Sequence, residues 1–230
     1  MSETITKLPN GLTIHLKEIN TAPIISHWIW YRVGSRDEVP GKTGISHWVE
    51  HMQFKGTPQY PGNVMDKAIS REGGIWNAFT FLDWTAYFQV LPENKIDLAL
   101  RLEADRMVNS IYDPDEVESE RMVILSESEG NENSPIFRLG KAVQHAAFKV
   151  HPYQNEIIGK SEDINQIQRN DLYNHYRDYY VPNNALLSIA GNFKMKNMLD
   201  RINELYCEIE PGGNLTRPAQ SEPEMDGERR

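Results

Sequence analysis

The sequence predicts an α+β fold in which a mixed, largely antiparallel sheet packs against helices. Three observations support this prediction. Strand-like runs of aromatic and β-branched residues interleave irregularly with helical patterns. An Asn10-Gly11 turn separates two short strand-like segments, as in a β-hairpin. Glycine and proline end several helical patterns. With 39% hydrophobic and 25% charged residues among 230, the composition is that of a globular domain.

The elements follow from these patterns in chain order. The predicted strands cover residues 3–8, 11–17, 25–33, 75–80, 84–91 and 186–190. The predicted helices cover about 44–54, 62–72, 93–109, 114–130, 135–148, 161–167, 169–180 and 195–208. From Pro211 the sequence is rich in Gly, Pro, Glu and Gln, which predicts an exposed linker. We therefore expect one domain over residues 1–210 and a linker over 211–230.

Charge and composition exclude several classes of function. The formal net charge of -9 argues against nucleic-acid binding, which needs clustered positive charge. No apolar run is long enough to span a bilayer, and the N-terminus lacks the features of a signal peptide. We therefore expect a cytoplasmic protein without a membrane partner. The single cysteine, Cys207, excludes a disulfide framework and a cysteine-rich zinc module.

The strongest chemical motif is His47-Trp48-Val49-Glu50-His51. On a helix, the two histidines lie at i and i+4, so both imidazoles leave one face and can reach one zinc ion. Glu50 points near the same place and can accept a proton from a metal-bound water, as in the HxxEH motif of the inverzincins. The alternative is a pair of partly buried histidines with an exposed glutamate on an amphipathic helix.

Zinc hydrolysis needs a third protein ligand, and here the residues leave alternatives open. Three other histidines qualify by type: His145, His151 and His175. Better candidates lie on the acidic helix, where Glu120 and Glu127 share one face at i and i+7. One could bind the metal while the other supports the site. The alternative is that every acid of this helix faces solvent, as expected for Glu129 and Glu132.

Several longer segments resemble the insulinase/pitrilysin family of zinc peptidases, in the branch of the mitochondrial processing peptidase β subunit. The first covers residues 44–57 and includes HxxEH. The others cover residues 73–85, 120–127, 151–153, 158–159 and 180–184. The resemblance extends from about residue 5 to 210. It implies the family's metallohydrolase fold and a zinc peptidase activity.

The resemblance also implies a role for individual residues. It assigns one zinc ion per chain to His47, His51 and Glu127, with Glu50 as the general base. Glu120 matches the acidic residue that supports the metal site. Gly74, Asn77 and Ala78 match the edge strand that pairs with an extended substrate, in keeping with β-augmentation. Without the family, Gly74 is an ordinary helix stop and Asn77 an ordinary strand residue.

We therefore expect a zinc metalloendopeptidase domain that hydrolyses extended peptides or small unfolded proteins. The resemblance implies a second homologous domain or a partner subunit that supplies a substrate-binding Arg and Tyr, for which this sequence has no counterpart. One alternative is a non-catalytic partner or scaffold domain of a processing complex. Another is a zinc-binding fragment that is inactive without its second half. An exposed apolar surface, with self-association, is a further expectation.

Overall fold

A computed structural model describes residues 2–62, 64–213, 215, 221–224 and 227. Six strands form one sheet in the order β1-β2-β6-β3-β5-β4. Their bounds are β1 Ser2–Lys7, β2 Thr13–Glu18, β3 Ile24–Tyr31, β4 Ile75–Thr80, β5 Thr85–Pro92 and β6 Ala185–Gly191. Neighbouring strands are antiparallel except β2 and β6, which run parallel. The prediction of a mixed, largely antiparallel sheet is confirmed.

The described residues form eight α-helices, all at positions that the sequence predicts. Their bounds are α1 Ile45–Met52, α2 Val64–Arg71, α3 Ile96–Asn109, α4 Pro114–Glu132, α5 Pro135–Ala147, α6 Ser161–Gln166, α7 Arg169–Tyr179 and α8 Met195–Tyr206. The helix predicted from residue 93 starts instead as a 3-10 turn, Glu93–Lys95, as is frequent at helix ends. None of these helices is long and apolar enough to cross a membrane.

The core lies between the helices and one face of the sheet. Burial alternates along β3, which places Ile25, Ile29 and Tyr31 in the core. Trp48 and Val49 of α1 belong to the same cluster and are fully buried. Burying one such side chain contributes about 1.5–3 kcal/mol, so the sheet fixes α1 firmly in place. This anchoring matters because α1 carries the HxxEH residues.

The other face of the sheet carries a row of stacked aromatic side chains. The ring centroids of Trp28 and Phe88 lie 4.5 Å apart, and those of Trp28 and Trp30 lie 5.4 Å apart. All three side chains are half-buried. The edge strand β4 adds Phe79, whose ring packs edge-on against Trp28. Apolar surface is therefore present on this face too, next to the strand expected to take a substrate.

The segment after residue 210 has no helix or strand where it is described. The Gly212 amide donates to Asn183 Oδ1 at 2.8 Å. Farther on, the Glu222 carboxylate accepts the backbone N–H groups of residues 149–151 at 2.7–2.9 Å. The predicted linker therefore contacts the domain at two points. The rest of it, residues 214, 216–220, 225–226 and 228–230, lies outside the described residues, and the boundary at 210 stays a prediction.

Candidate metal centre

The helix that carries the motif begins in an unusual way. Its N-cap, Gly44, is left-handed with φ +86°, and a Cβ there would lie 2.4 Å from the Ile158 carbonyl oxygen. Glycine has no side chain that could cap the helix, and Glu38 caps it instead. Its carboxylate accepts the N–H groups of Gly44 at 2.8 Å and Ser46 at 3.0 Å. Burial raises the pKa of Glu38 to about 8, against the lowering effect of these two bonds.

Helix α1 divides its side chains between the core and the site. Trp48, Val49 and Met52 are buried in the core. His47 and His51 lie on the other side, with ring centroids 4.6 Å apart. The two imidazoles therefore leave one face, as the i, i+4 spacing predicts.

Helix α4 brings the acidic residues to the same place. Asp113 caps the helix by accepting the Asp115 amide at 2.9 Å, and Ile124 packs in the core. Ile124 lies between Glu120 and Glu127 on one face, so burying this residue turns both carboxylates towards α1. This arrangement agrees with the prediction that Glu120 and Glu127 share one face of the helix.

Three side chains converge on one point. The nitrogen and oxygen atoms that His47, His51 and Glu127 can offer to a metal all lie within 4.8 Å of one another. Glu127 Oε2 is 4.0 Å from His47 Nε2 and 3.9 Å from His51 Nε2. Ligands of tetrahedral zinc at about 2.0–2.1 Å from the ion are about 3.4 Å apart, so small inward shifts would suffice. The donor set of two imidazoles and one carboxylate fits a catalytic zinc site.

Glu120 supports this cluster without joining it. Glu120 Oε2 lies 2.8 Å from His51 Nδ1, and Oε1 lies 2.5 Å from Lys55 Nζ. The bond to His51, with help from Lys55, lowers the pKa of Glu120 to about 2. Burial acts to lower the pKa of His51, but the bond to Glu120 and the nearby carboxylates outweigh it and raise that pKa. The bond leaves Nε2 of His51 facing Glu127.

His47, the other histidine of the cluster, has a different environment from His51. Burial, with the charge of His51, lowers the pKa of His47 to about 3, which keeps its imidazole neutral and able to bind a metal. Its Nδ1 is buried and has no hydrogen-bond partner among the described residues. The orientation of His47 therefore depends on packing in α1 rather than on a second hydrogen bond.

Glu50 lies beside the cluster but is not part of it. The side chain is buried, and burial raises its pKa, although the Thr80 hydroxyl bond opposes this effect. Thr80 Oγ1 donates to Glu50 Oε2 at 2.5 Å.

Sequence reasoning missed Thr80 and Lys55 as site residues. Both lie in the segments that resemble the family, but a spacing pattern does not reveal a bond between separate elements.

Strand β4 borders a cleft of about 580 Å³ that contains the cluster. Ala78 lines the cleft, and its N–H bonds to Asn77 Oδ1 at 2.9 Å, so this amide points away from β5 to the free edge of the sheet. Gly74 does not line the cleft. A Cβ at Gly74 would lie 2.2 Å from Leu91 Cδ2, so a larger residue there would displace the Leu91 side chain, and packing accounts for the glycine without a substrate. The substrate roles of Gly74, Asn77 and Ala78 stay predictions.

The three other histidines lie elsewhere. His175 is buried in α7, with Nε2 3.3 Å from Ser46 Oγ. His151 Nδ1 accepts the Tyr153 amide at 3.1 Å. His145 is exposed on α5. Of the candidates for a third ligand, Glu127 alone joins His47 and His51 among the residues that the structure describes.

Comparison with known proteins places these features in a family. The family model "Insulinase (Peptidase family M16)" matches residues 13–161, and "Peptidase M16 inactive domain" matches residues 166–229. A zinc protease of Helicobacter pylori is 32% identical over 99% of this chain and 52% of its own length. Subunit 1 of the Bos taurus cytochrome b-c1 complex is 30% identical over 85% of this chain and 41% of its own length.

Solved protease structures have the same fold as this chain. The crystal structure of a protease from Helicobacter pylori has a TM-score of 0.95 at 31% identity and covers 99% of this chain and 56% of that one. The first half of a periplasmic protease of Escherichia coli shares the fold, with a TM-score of 0.86 at 23% identity over 96% of this chain and 49% of that one. The chain spans about half the length of the curated relatives it matches. It belongs to the insulinase family of peptidases, family M16.

Proposed function

We propose that this chain is the catalytic domain of a zinc metalloendopeptidase that binds one zinc ion. The observation that carries the proposal is the convergence of His47, His51 and Glu127, with Glu50 buried beside them. Relatives that are named zinc proteases support it. Subunit 1 of the cytochrome b-c1 complex, which is not named as a protease, is also similar to this chain, so similarity alone does not establish catalysis. The complete set of four residues favours a peptidase over a non-catalytic partner or scaffold domain.

The proposed chemistry uses this chain's own side chains as follows. Zinc, when bound, supplies a Lewis acid that activates water and polarises the scissile carbonyl. Glu50 takes a proton from the attacking water and passes it to the leaving amine, a role worth about 10²–10⁴-fold in rate. Its raised pKa brings it closer to neutral pH, where such transfers are efficient. Glu120 holds the His51 ring in one orientation.

The proposed substrate is an extended peptide or a small unfolded protein. A strand added to the free edge of β4 would bond to its backbone, with the Ala78 amide exchanging its bond to Asn77 Oδ1 for one to the peptide, so affinity would depend little on sequence. Phe81 and Leu82 line the same cleft and offer apolar contacts to side chains. The peptide would then pass over Glu50 and the histidine pair.

The proposal includes a second homologous domain or a partner subunit that completes the substrate-binding site. Residues 1–210 form the zinc-binding domain, and residues 211–230 lead to a second half that contributes a substrate-binding Arg and Tyr. Relatives about twice as long as this chain support that arrangement. The alternative is a zinc-binding fragment that is inactive by itself. The cytoplasmic location stays a prediction, because a structure with the same fold is that of a periplasmic protease.

The variant Glu50→Gln tests the proposal. The amide keeps the shape of the side chain but cannot act as a base, so hydrolysis of an unstructured protein should fall by about 10²-fold or more. Zinc content, measured by elemental analysis, should equal that of the wild type. Both proteins are assayed alone and with a second half from a full-length relative, with and without chelator. Loss of zinc in the variant would make Glu50 a ligand and contradict the mechanism. Absence of zinc from the wild type would refute the function.

A further inference from the structure

Lys55 contacts Glu120, which in turn contacts His51 of the metal centre. His51 and Lys55 are four residues apart, and each contacts a different oxygen of the same carboxylate. His51 Nδ1 is 2.8 Å from Oε2, and Lys55 Nζ is 2.5 Å from Oε1. The Lys55 ammonium also lies 3.1 Å from Glu116 Oε2, one helical turn before Glu120. Lys55 therefore bridges two acids of α4 while α1 supplies the histidine.

This arrangement occupies both oxygens of Glu120. The carboxylate is 10% exposed and the lysine side chain 25% exposed, so the pair is partly shielded from water. Contacts at both oxygens restrain the rotation of the carboxylate, and the bond to Oε2 in turn restrains the His51 ring. Without Lys55, Oε1 would lose its close cationic partner. Glu120 would then be less restrained and would orient the His51 ring less well.

We infer that Lys55 is a positioning residue for the metal centre, acting through Glu120 to fix the His51 ring towards the zinc ion. The inference rests on the proposed function and deepens it. It differs from two simpler roles for a lysine. A partly exposed ion pair contributes little to stability and has no effect on a metal. A positive charge near a cation repels it, so removing the lysine would strengthen zinc binding. Positioning predicts weaker binding instead.

Zinc affinity separates these roles. Metal-free protein is titrated with zinc against a chelator of known affinity, using the whole 230-residue chain. Lys55→Met should weaken binding by about tenfold, at the low end of the range for partners of metal ligands. Lys55→Arg, which keeps a cation in reach of Glu120, should stay close to wild type. Lys95→Met is the matched control, because Lys95 pairs with Glu72 at 2.7 Å and lines no part of the cleft.

Two further measurements show whether Lys55 acts through Glu120. In a Glu120→Gln background, Lys55→Met should change zinc affinity by less than about twofold, because the effects of coupled residues do not add. The absorption spectrum of bound Co²⁺ should change in Lys55→Met and recover in Lys55→Arg. The melting temperature of each metal-free variant shows that it is folded, and Lys55→Gln replaces Lys55→Met if that variant is not.

The outcomes are distinct. Unchanged or tighter zinc binding in folded Lys55→Met would overturn the inference and leave the proposed function intact. A full tenfold effect of Lys55→Met in the Glu120→Gln background would overturn the path through Glu120. A wild-type chain that binds no zinc would overturn the proposed function and the inference together.

Discussion

The hydroxyl of Thr80 lies 2.5 Å from Oε2 of Glu50. Thr80 ends β4, the edge strand beside the cleft, and Glu50 belongs to α1. The strand proposed to take a peptide is thus bonded directly to the carboxylate proposed to accept a proton. Because both side chains are buried, this bond fixes the direction in which Glu50 presents its other oxygen.

The first prediction concerns this bond. Thr80→Val keeps the shape of the side chain but removes the donor, and a hydrogen bond to a charged group is worth about 1.5–3 kcal/mol. In whichever assay shows activity, the chain alone or with a second half, we expect kcat to fall by about tenfold or more. Zinc content should stay at one ion per chain. Thr80→Ser retains a hydroxyl and should recover most of the rate. Equal rates for Thr80→Val and wild type would show that the bond is not used.

The same variant has a predicted effect on pH dependence. Burial raises the pKa of Glu50, and the Thr80 bond counteracts that increase. Removing the donor therefore raises the pKa further, and the general base is protonated at a higher pH. The acid limb of the pH profile of kcat/KM should move to higher pH in Thr80→Val and stay near its original position in Thr80→Ser. A shift to lower pH would contradict this account.

The second prediction separates the acids of α4. Glu127 lies in the histidine cluster, whereas Glu129 lies two residues farther along the helix and is exposed. Glu127→Gln should weaken zinc binding by at least about a hundredfold, because a charged ligand is lost. It should also abolish the rise in melting temperature that zinc gives to the wild type. Glu129→Gln is the matched control and should behave as wild type. The reverse result would show that the helix face is misassigned.

Much of the site could be predicted from local spacing. The i, i+4 histidines and the shared face of Glu120 and Glu127 are properties of single helices, and helical periodicity determines both. The choice of Glu127 rather than Glu120 as third ligand required more, because both lie on one face of α4 and spacing does not distinguish them. The residues placed these two carboxylates ahead of the histidines, and the family resemblance then assigned the metal to Glu127.

What could not be predicted depends on contacts between distant segments. Glu38 caps α1 from a loop, although nothing in its local sequence marks it as a cap. The packing of Gly74 against Leu91 is likewise visible only once β4 and β5 are paired. The strand and helix positions were predicted within a few residues, because they follow from periodicity and from breakers such as Pro182.

The third prediction concerns stability in acid. Burial lowers the pKa of His175 to about 3, well below the ordinary value of about 6.5. Between these values the unfolded chain binds a proton that the folded chain does not. Its contribution to stability is therefore complete above about pH 6.5 and declines as the pH falls towards 3, by up to about 1.4 kcal/mol per pH unit.

His175→Gln should remove this part of the pH dependence. Urea unfolding of the metal-free chain, compared between about pH 7 and pH 5, should show a smaller loss of free energy in the variant than in the wild type. Some loss should remain, because burial and the charge of His51 also lower the pKa of His47. Above about pH 7 the slopes of the two proteins should coincide. Identical slopes over the whole range would mean that His175 accepts a proton in the folded state.

The last prediction concerns helix α5, which has no buried residue and turns its apolar side to solvent. Ile136, Leu139 and Val143 lie on one stripe and are 79%, 63% and 60% exposed. The opposite side of the helix faces the domain: Phe137 packs against the core, and Lys141 pairs with Glu156 at 2.8 Å. Helices of this kind normally bury their apolar stripe, so we expect the isolated chain to self-associate through α5.

Sedimentation at increasing protein concentration tests this expectation. Burying one leucine side chain contributes about 1.5–3 kcal/mol, so Leu139→Ser should weaken self-association by about tenfold or more. Val39→Ser is the control, since Val39 is 56% exposed but lies in the loop between β3 and α1. If the second half proposed above covers α5, adding it should compete with self-association, and Leu139→Ser should weaken that binding as well. A wild-type chain that stays monomeric at high concentration, or a control variant with the same effect as Leu139→Ser, would show that this stripe has no such role.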